Sequence, residues 1–185
     1  MAQAKLWPRH PIRYALTVAA LAMLAPSCRA DEKAIGMTLL FQSAGRPVVV
    51  QRFDPDGLRG PVPGAVGGIY PRGGKEMAFM PGDGKRGIPE FVDIGWVVPT
   101  LEYEEWSRKN RLKSKAEQYS EEGRDEYKRE WAKNPNYTKR IDFTSIITPE
   151  LVAQVRANAQ TTQLKLTITF NNDNVDIKAV AYKWR

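Results

Sequence analysis

The 185-residue chain has one histidine and one cysteine, and both stand near its start, at His10 and Cys28. With no cysteine beyond position 28, no disulfide can close inside the rest of the chain, so packing must hold its fold. The lack of any histidine beyond His10 excludes more. Without histidine or a further thiol, the usual general bases, thiol–imidazole pairs and zinc sites ligated by histidine or cysteine are out of reach. A carboxylate pair, a Ser–Lys arrangement or an oxygen-only metal site are the chemistries that remain. A binding protein is expected rather than an enzyme, with no cofactor. Internal repeats are absent as well.

What is present begins with a leader. Lys5, Arg9 and Arg13 make a basic start, and Tyr14 to Ala25 is an apolar stretch shorter than the roughly 20 residues that span a bilayer. Small residues follow, so residues 1–30 read as a secretory signal and residues 31–185 as a single mature domain. Two cleavage sites fit. Ala25-Pro-Ser-Cys28 loosely matches a lipobox, which would make Cys28 the lipid attachment point and tether the protein to a membrane. A cut after Ala30, with Cys28 and Ala30 as the small residues, would release it instead. The expected location is the periplasm, membrane-anchored if Cys28 is acylated.

Charge narrows the partners. The whole chain carries 28 basic and 21 acidic residues, but Lys5, Arg9, Arg13 and Arg29 all precede Asp31 and no acid does. The mature part is therefore only weakly basic, and the footprint of a nucleic-acid binder is missing.

The pattern after the leader suggests an α+β fold, an antiparallel β-sheet or sandwich with one charged helical segment and one short helix. MTLLFQ and RPVVVQRF, between Ile35 and Phe53, read as an opening β-hairpin. Between Gly45 and Pro99 lie twelve of the fourteen glycines and eight of the thirteen prolines, which favours loops. Inside that region, Glu76 to Met80 looks buried. Pro89 to Pro99 alternates so that Val92, Ile94, Trp96 and Val98 share one apolar face of a central strand.

From Thr100 to Lys133 the chain turns to helix formers. Thr100 is placed to cap, Glu102, Glu104 and Glu105 suit the positive helix end, and Gly123 is the expected break between two pieces docked on the sheet. The narrow stripe Leu112, Ala116, Tyr119, Tyr127 and Trp131 would make that contact. Asn134-Pro135 ends the segment. Ile141 to Ile147 is expected as a strand and Pro149 as the start of a short helix. Gln163 to Phe170 and Val175 to Trp184 should pair as an antiparallel hairpin around Asn171 to Asn174.

Two loops imitate ligand sites. Asp54-Pro-Asp56-Gly57 opens like a calcium loop, but its twelfth position is Ala65 rather than glutamate, so a turn is the better account. Gly82-Asp-Gly84-Lys85-Arg86 has phosphate-loop residues without the spacing, and Pro89 follows where a helix should start. It suits an exposed basic loop for a protein partner.

The leader with Cys28, the run ending Gly95-Trp96-Val-Val-Pro99, the start Leu101-Glu-Tyr-Glu-Glu-Trp106 and the closing strands resemble small bacterial envelope lipoproteins, some of them similar to immunity partners of phospholipase effectors of the type VI secretion system. That resemblance implies a non-enzymatic protein that binds and blocks a secreted lipase-type effector. The contact surface would come from the 54–88 loops and the 102–109 helix start, with Tyr70, Arg72, Asp83, Lys85, Arg86, Glu104, Glu105 and Trp106 as partner-binding candidates. A structural lipoprotein of the envelope or of a secretion assembly is the alternative.

Overall fold

The computed structural model describes residues 35–79 and 88–183. Two four-stranded sheets enclose one core. The first has the order β4-β1-β7-β8, from β1 (Met37–Ser43), β4 (Lys75–Phe79), β7 (Thr162–Asn171) and β8 (Asn174–Lys183). The second has the order β3-β2-β5-β6, from β2 (Val48–Pro55), β3 (Gly64–Val66), β5 (Phe91–Val97) and β6 (Asn136–Asp142). All pairings are antiparallel except β1 with β7, which run parallel. The fold is α+β, as the pattern indicated, and its sheet part is a sandwich.

Alternation in the sequence becomes the core. Leu164, Leu166, Ile168 and Phe170 of β7 face Val92, Ile94, Trp96 and Val98 of the β5 run, all buried in one cluster. Rings meet across the gap between sheets: Trp96 lies 5.5 Å from Phe170, and Phe41 meets Phe53 edge-on at 5.4 Å. Each fully buried side chain of this size is worth about 1.5–3 kcal/mol over leaving it exposed.

The opening hairpin does not form. β1 is buried on both faces, Leu39 and Phe41 inward and Leu40 outward, and it is an inner strand, hydrogen-bonded to β4 on one edge and β7 on the other. β2 instead joins the other sheet, so the Ser-Ala-Gly-Arg-Pro segment crosses between sheets rather than turning a hairpin. A bulge between Val50 and Arg52 then keeps β2 amphipathic. It puts Gln51 and Arg52 outward together, so that Phe53 returns to the core. The glycine-rich region also holds more structure than loops alone, since β3 and β4 both fall within it.

The charged segment is three helices, not two: α1 (Leu101–Asn110), α2 (Lys115–Tyr119) and α3 (Glu121–Ala132). Gly123 lies inside α3 and is not the break. The breaks fall where serines cap: Ser114 forms a reciprocal box with Glu117, and Ser120 accepts from the Gly123 N–H at 3.0 Å. Gly123 is required for a different reason. A β-carbon there would stand 2.2 Å from the Glu117 carbonyl oxygen and 2.8 Å from that of Gln118.

The later elements shift slightly. β6 begins at Asn136, five residues before the expected strand, and stops at Asp142 because its carboxylate accepts from the Thr144 N–H (2.8 Å) and hydroxyl (2.6 Å). Phe143 and Ile147 are still buried, but from the turn that follows. Thr148 caps α4 (Pro149–Ala157), which packs on β7 and β8 through its buried Val155. The terminal hairpin forms around Asn172, whose φ of 55° is the left-handed conformation asparagine tolerates.

Candidate partner-binding clefts

The helices α1 to α3 form an insertion between two adjacent strands. Val97 of β5 pairs with Asn136 of β6, so the chain leaves the sheet and returns to it at one point. A clasp closes the base: the Val98 N–H donates to the Pro135 carbonyl (3.1 Å), the Thr100 N–H to the Asn134 side chain (2.8 Å), and the Asn134 amide to the Trp131 carbonyl (2.9 Å). Buried Asn134 thereby joins the start of α1 to the end of α3.

No residue of the three helices is fully buried. Their aromatic side chains pack on one another rather than forming the expected stripe against the sheet. Tyr103 and Trp106 of α1 and Tyr127 and Trp131 of α3 close a ring of contacts at 5.2 to 6.2 Å between centroids, with Tyr127 and Trp131 stacked at 4°. Such pairs are worth about 0.5–1.5 kcal/mol each beyond the area they bury. Burial, and then the neighbouring Tyr127 hydroxyl, push the Tyr103 phenol well above its ordinary range. The Trp106 indole donates to Glu126 (2.9 Å), which also receives Lys113 (2.8 Å), and these two donors hold the Glu126 carboxyl below its usual range. Leu112 and Tyr119, expected in the docking stripe, are instead 85% and 70% exposed.

Two clefts flank this aromatic cluster. The first, of about 750 Å³, lies between the helices and the outer side of β2 and β3, with Pro47, Val49, Ala65 and Pro99 opposite Tyr103, Tyr127 and Trp131. The second, of about 570 Å³, is bounded by Trp106, Arg111, Tyr119, Arg124, Tyr127 and Lys128. Ser107, Arg111 and Tyr127 line both, so the clefts meet along that edge. Both volumes are in the range of ligand-binding clefts.

The sequence candidates divide. Glu104 lines the first cleft and pairs with Arg46 (3.2 Å), and Trp106 lines the second. Glu105 lines neither and pairs with Lys109 (2.8 Å), which lowers its pKa. Tyr70 and Arg72 also line neither cleft. They sit exposed in the turn before β4, where the Tyr70 ring is 5.8 Å from the Lys165 ammonium. Lys165 is held from its other sides by Tyr182 (4.6 Å) and Glu76 (3.4 Å). Asp83, Lys85, Arg86 and Cys28 lie outside the described residues. The pair resembling a calcium loop is committed to the fold: Asp54 binds Arg52 (2.6 Å), and Asp56 accepts from the N–H groups of Glu90 (2.8 Å) and Phe91 (3.2 Å).

The sequence pattern did not single out Arg108, Arg111 and Arg124 as site residues, and it left Tyr127 and Trp131 open between a protein interface and docking on the sheet. The signal that could have found them is Ser114-x-x-Glu117, which breaks the segment early and folds its second half back on its first. No helix among the described residues is long and apolar enough to cross a membrane. The molecule is thus an α+β sandwich with a helical insertion presenting two joined clefts. No family model matches the chain, and the comparisons with curated proteins and solved structures found no match.

Proposed function

We propose that this chain is a non-enzymatic protein-binding protein of the bacterial periplasm, and that it acts as an immunity protein inhibiting a secreted lipase-type effector. The observation that carries the binding part is the helical insertion itself. Thirty-two residues, 101–132, leave the sheet between two paired strands, bury no side chain fully, and hold four aromatic rings beside open clefts. Aromatic anchors beside charged rims are how protein interfaces concentrate their energy. The lack of histidine beyond His10 supports binding over catalysis. The leader supports a periplasmic address, and the likeness to immunity lipoproteins supports the class of partner. Cys28, if acylated, would hold the protein at a membrane, where a lipid-hydrolysing toxin works.

Toxicity rescue tests the reading. Each lipase-type effector encoded by the same genome is directed to the periplasm of a sensitive host, with and without this chain. Survival restored against one effector is the expected result. Equal killing in every pair would overturn the proposal. Labelling with a palmitate probe should mark the chain, and its loss in Cys28→Ala would assign the acyl group to Cys28.

A further inference from the structure

We infer that the two joined clefts receive an acidic, aromatic-containing segment of the partner protein, with Arg111 and Arg124 as its carboxylate-binding side chains. This inference rests on the protein-binding reading and specifies the partner's chemistry.

The argument comes from how the insertion disposes of its charges. Bases and acids are equal in number from Glu102 to Lys133, nine of each. Lysines take most of the acids that pair: Lys109 with Glu105, Lys113 with Glu126, Lys128 with Asp125 and Lys133 with Glu130. Glu117 is occupied by the Ser114 cap, and Glu104 by Arg46 from outside the insertion. Among the described residues, Arg108, Arg111 and Arg124 have no carboxylate at salt-bridge distance, and all three line the clefts. A locally balanced segment thus leaves three of its four arginines open along one concave surface.

Arginine is the cation suited to this task. Its planar guanidinium takes carboxylates in two parallel hydrogen bonds and stacks on aromatic faces, and it is desolvated more cheaply than an ammonium. Tyr127 stands beside Arg111 in both clefts, with Trp131 in one and Tyr119 in the other. An entering chain would therefore meet both cations and aromatic side chains. The apolar wall of Pro47, Val49, Ala65 and Pro99 favours a peptide with aromatic or aliphatic side chains over a purely anionic polymer. It equally disfavours a flat lipid surface, which could not enter between sheet and helix.

The probe is the random copolymer poly(Glu,Tyr), titrated into the mature chain at low ionic strength while tryptophan fluorescence is followed. Poly(Glu), phosphatidylglycerol vesicles and a single-stranded oligonucleotide are titrated in parallel. Saturable binding of poly(Glu,Tyr) is expected, weakened about tenfold or more in Arg111→Glu/Arg124→Glu. It should be nearly unchanged in Lys115→Glu/Lys178→Glu, which makes the same charge change at exposed positions outside both clefts. Circular dichroism checks that both variants fold. Absence of poly(Glu,Tyr) binding, or equal weakening in the two double variants, overturns the inference. So does poly(Glu), vesicle or oligonucleotide binding as tight and as dependent on Arg111 and Arg124. In the rescue assay, protection that survives Arg111→Glu/Arg124→Glu would sink the cleft assignment and leave the protein-binding reading standing. Loss of protection from every effector by the unaltered chain would sink the latter.

Discussion

The indole N–H of Trp96 donates to the backbone carbonyl of Asn172 at 2.8 Å, tying the central strand of one sheet to the hairpin tip of the other. Trp96 is almost wholly buried, and its ring lies between Phe170 (5.5 Å) and Tyr137 (5.6 Å). Trp96→Phe keeps most of the packing but orphans that carbonyl, and should cost about 1–3 kcal/mol in urea unfolding. Trp96→Ala should cost about 3–5 kcal/mol. Equal costs for the two would show that the hydrogen bond, not the ring, carries the effect.

Gly123→Ala has a sign that separates helix propensity from packing. In an exposed helix interior the change stabilises by about 1 kcal/mol. Here the new methyl would meet the Glu117 and Gln118 carbonyls, which are backbone and cannot rotate away. The expected result is destabilisation of about 1–3 kcal/mol, with altered near-ultraviolet dichroism from Trp106 and Trp131. A rise in melting temperature would contradict the close approach of α2 to α3.

Acid should act through Asp93. Arg140 makes two hydrogen bonds to it, 2.7 and 2.8 Å, and chiefly through these holds its carboxyl below the usual range. A carboxylate with a lowered folded pKa contributes stability above its unfolded pKa of about 3.9, and loses it as pH falls through the lower folded value. Asp93→Asn should therefore be less stable than the unaltered chain at pH 7. The difference should shrink steadily below about pH 4. A constant difference between pH 7 and pH 2 would contradict this.

Base should act through Tyr103. Its raised pKa means that its stabilising share is present below the unfolded value of about 10 and is lost as pH rises toward the folded one. In absorbance titration Tyr103 should ionise last, and Tyr103→Phe should remove the latest-titrating phenol. The removal of an early one would contradict the burial of Tyr103 against Tyr127.

The strands were legible where alternation was strong. Val92 to Val98 and Leu164 to Phe170 give their buried faces directly, and Asn171 to Asn174 gives the tip between β7 and β8. What could not be read was which strands pair, because β1 and β2 look like neighbours in sequence while their partners are far along the chain. The parallel pairing of β1 with β7 has no local signal at all. In the helices, a single 3.6-residue period was carried through Ser114 and Ser120, where the chain turns. Leu112 and Tyr119 were thereby grouped with Tyr127 and Trp131, and the fold separates them. Of the candidate site, Glu104 and Trp106 were found because they begin a helix, whereas Arg111 and Arg124 become neighbours of one cleft only after the segment folds back.

The proposal most open to direct test is that the chain binds and silences a lipase. Isothermal titration of residues 31–185 against each lipase-type effector of the same genome, with lipase activity followed on the same samples, tests it most directly. One effector is predicted to bind with a dissociation constant of about 1 μM or tighter, about −8 kcal/mol or better, and to lose activity as the ratio reaches one to one. Heat-silent titrations and undiminished lipase activity across all of them would contradict it.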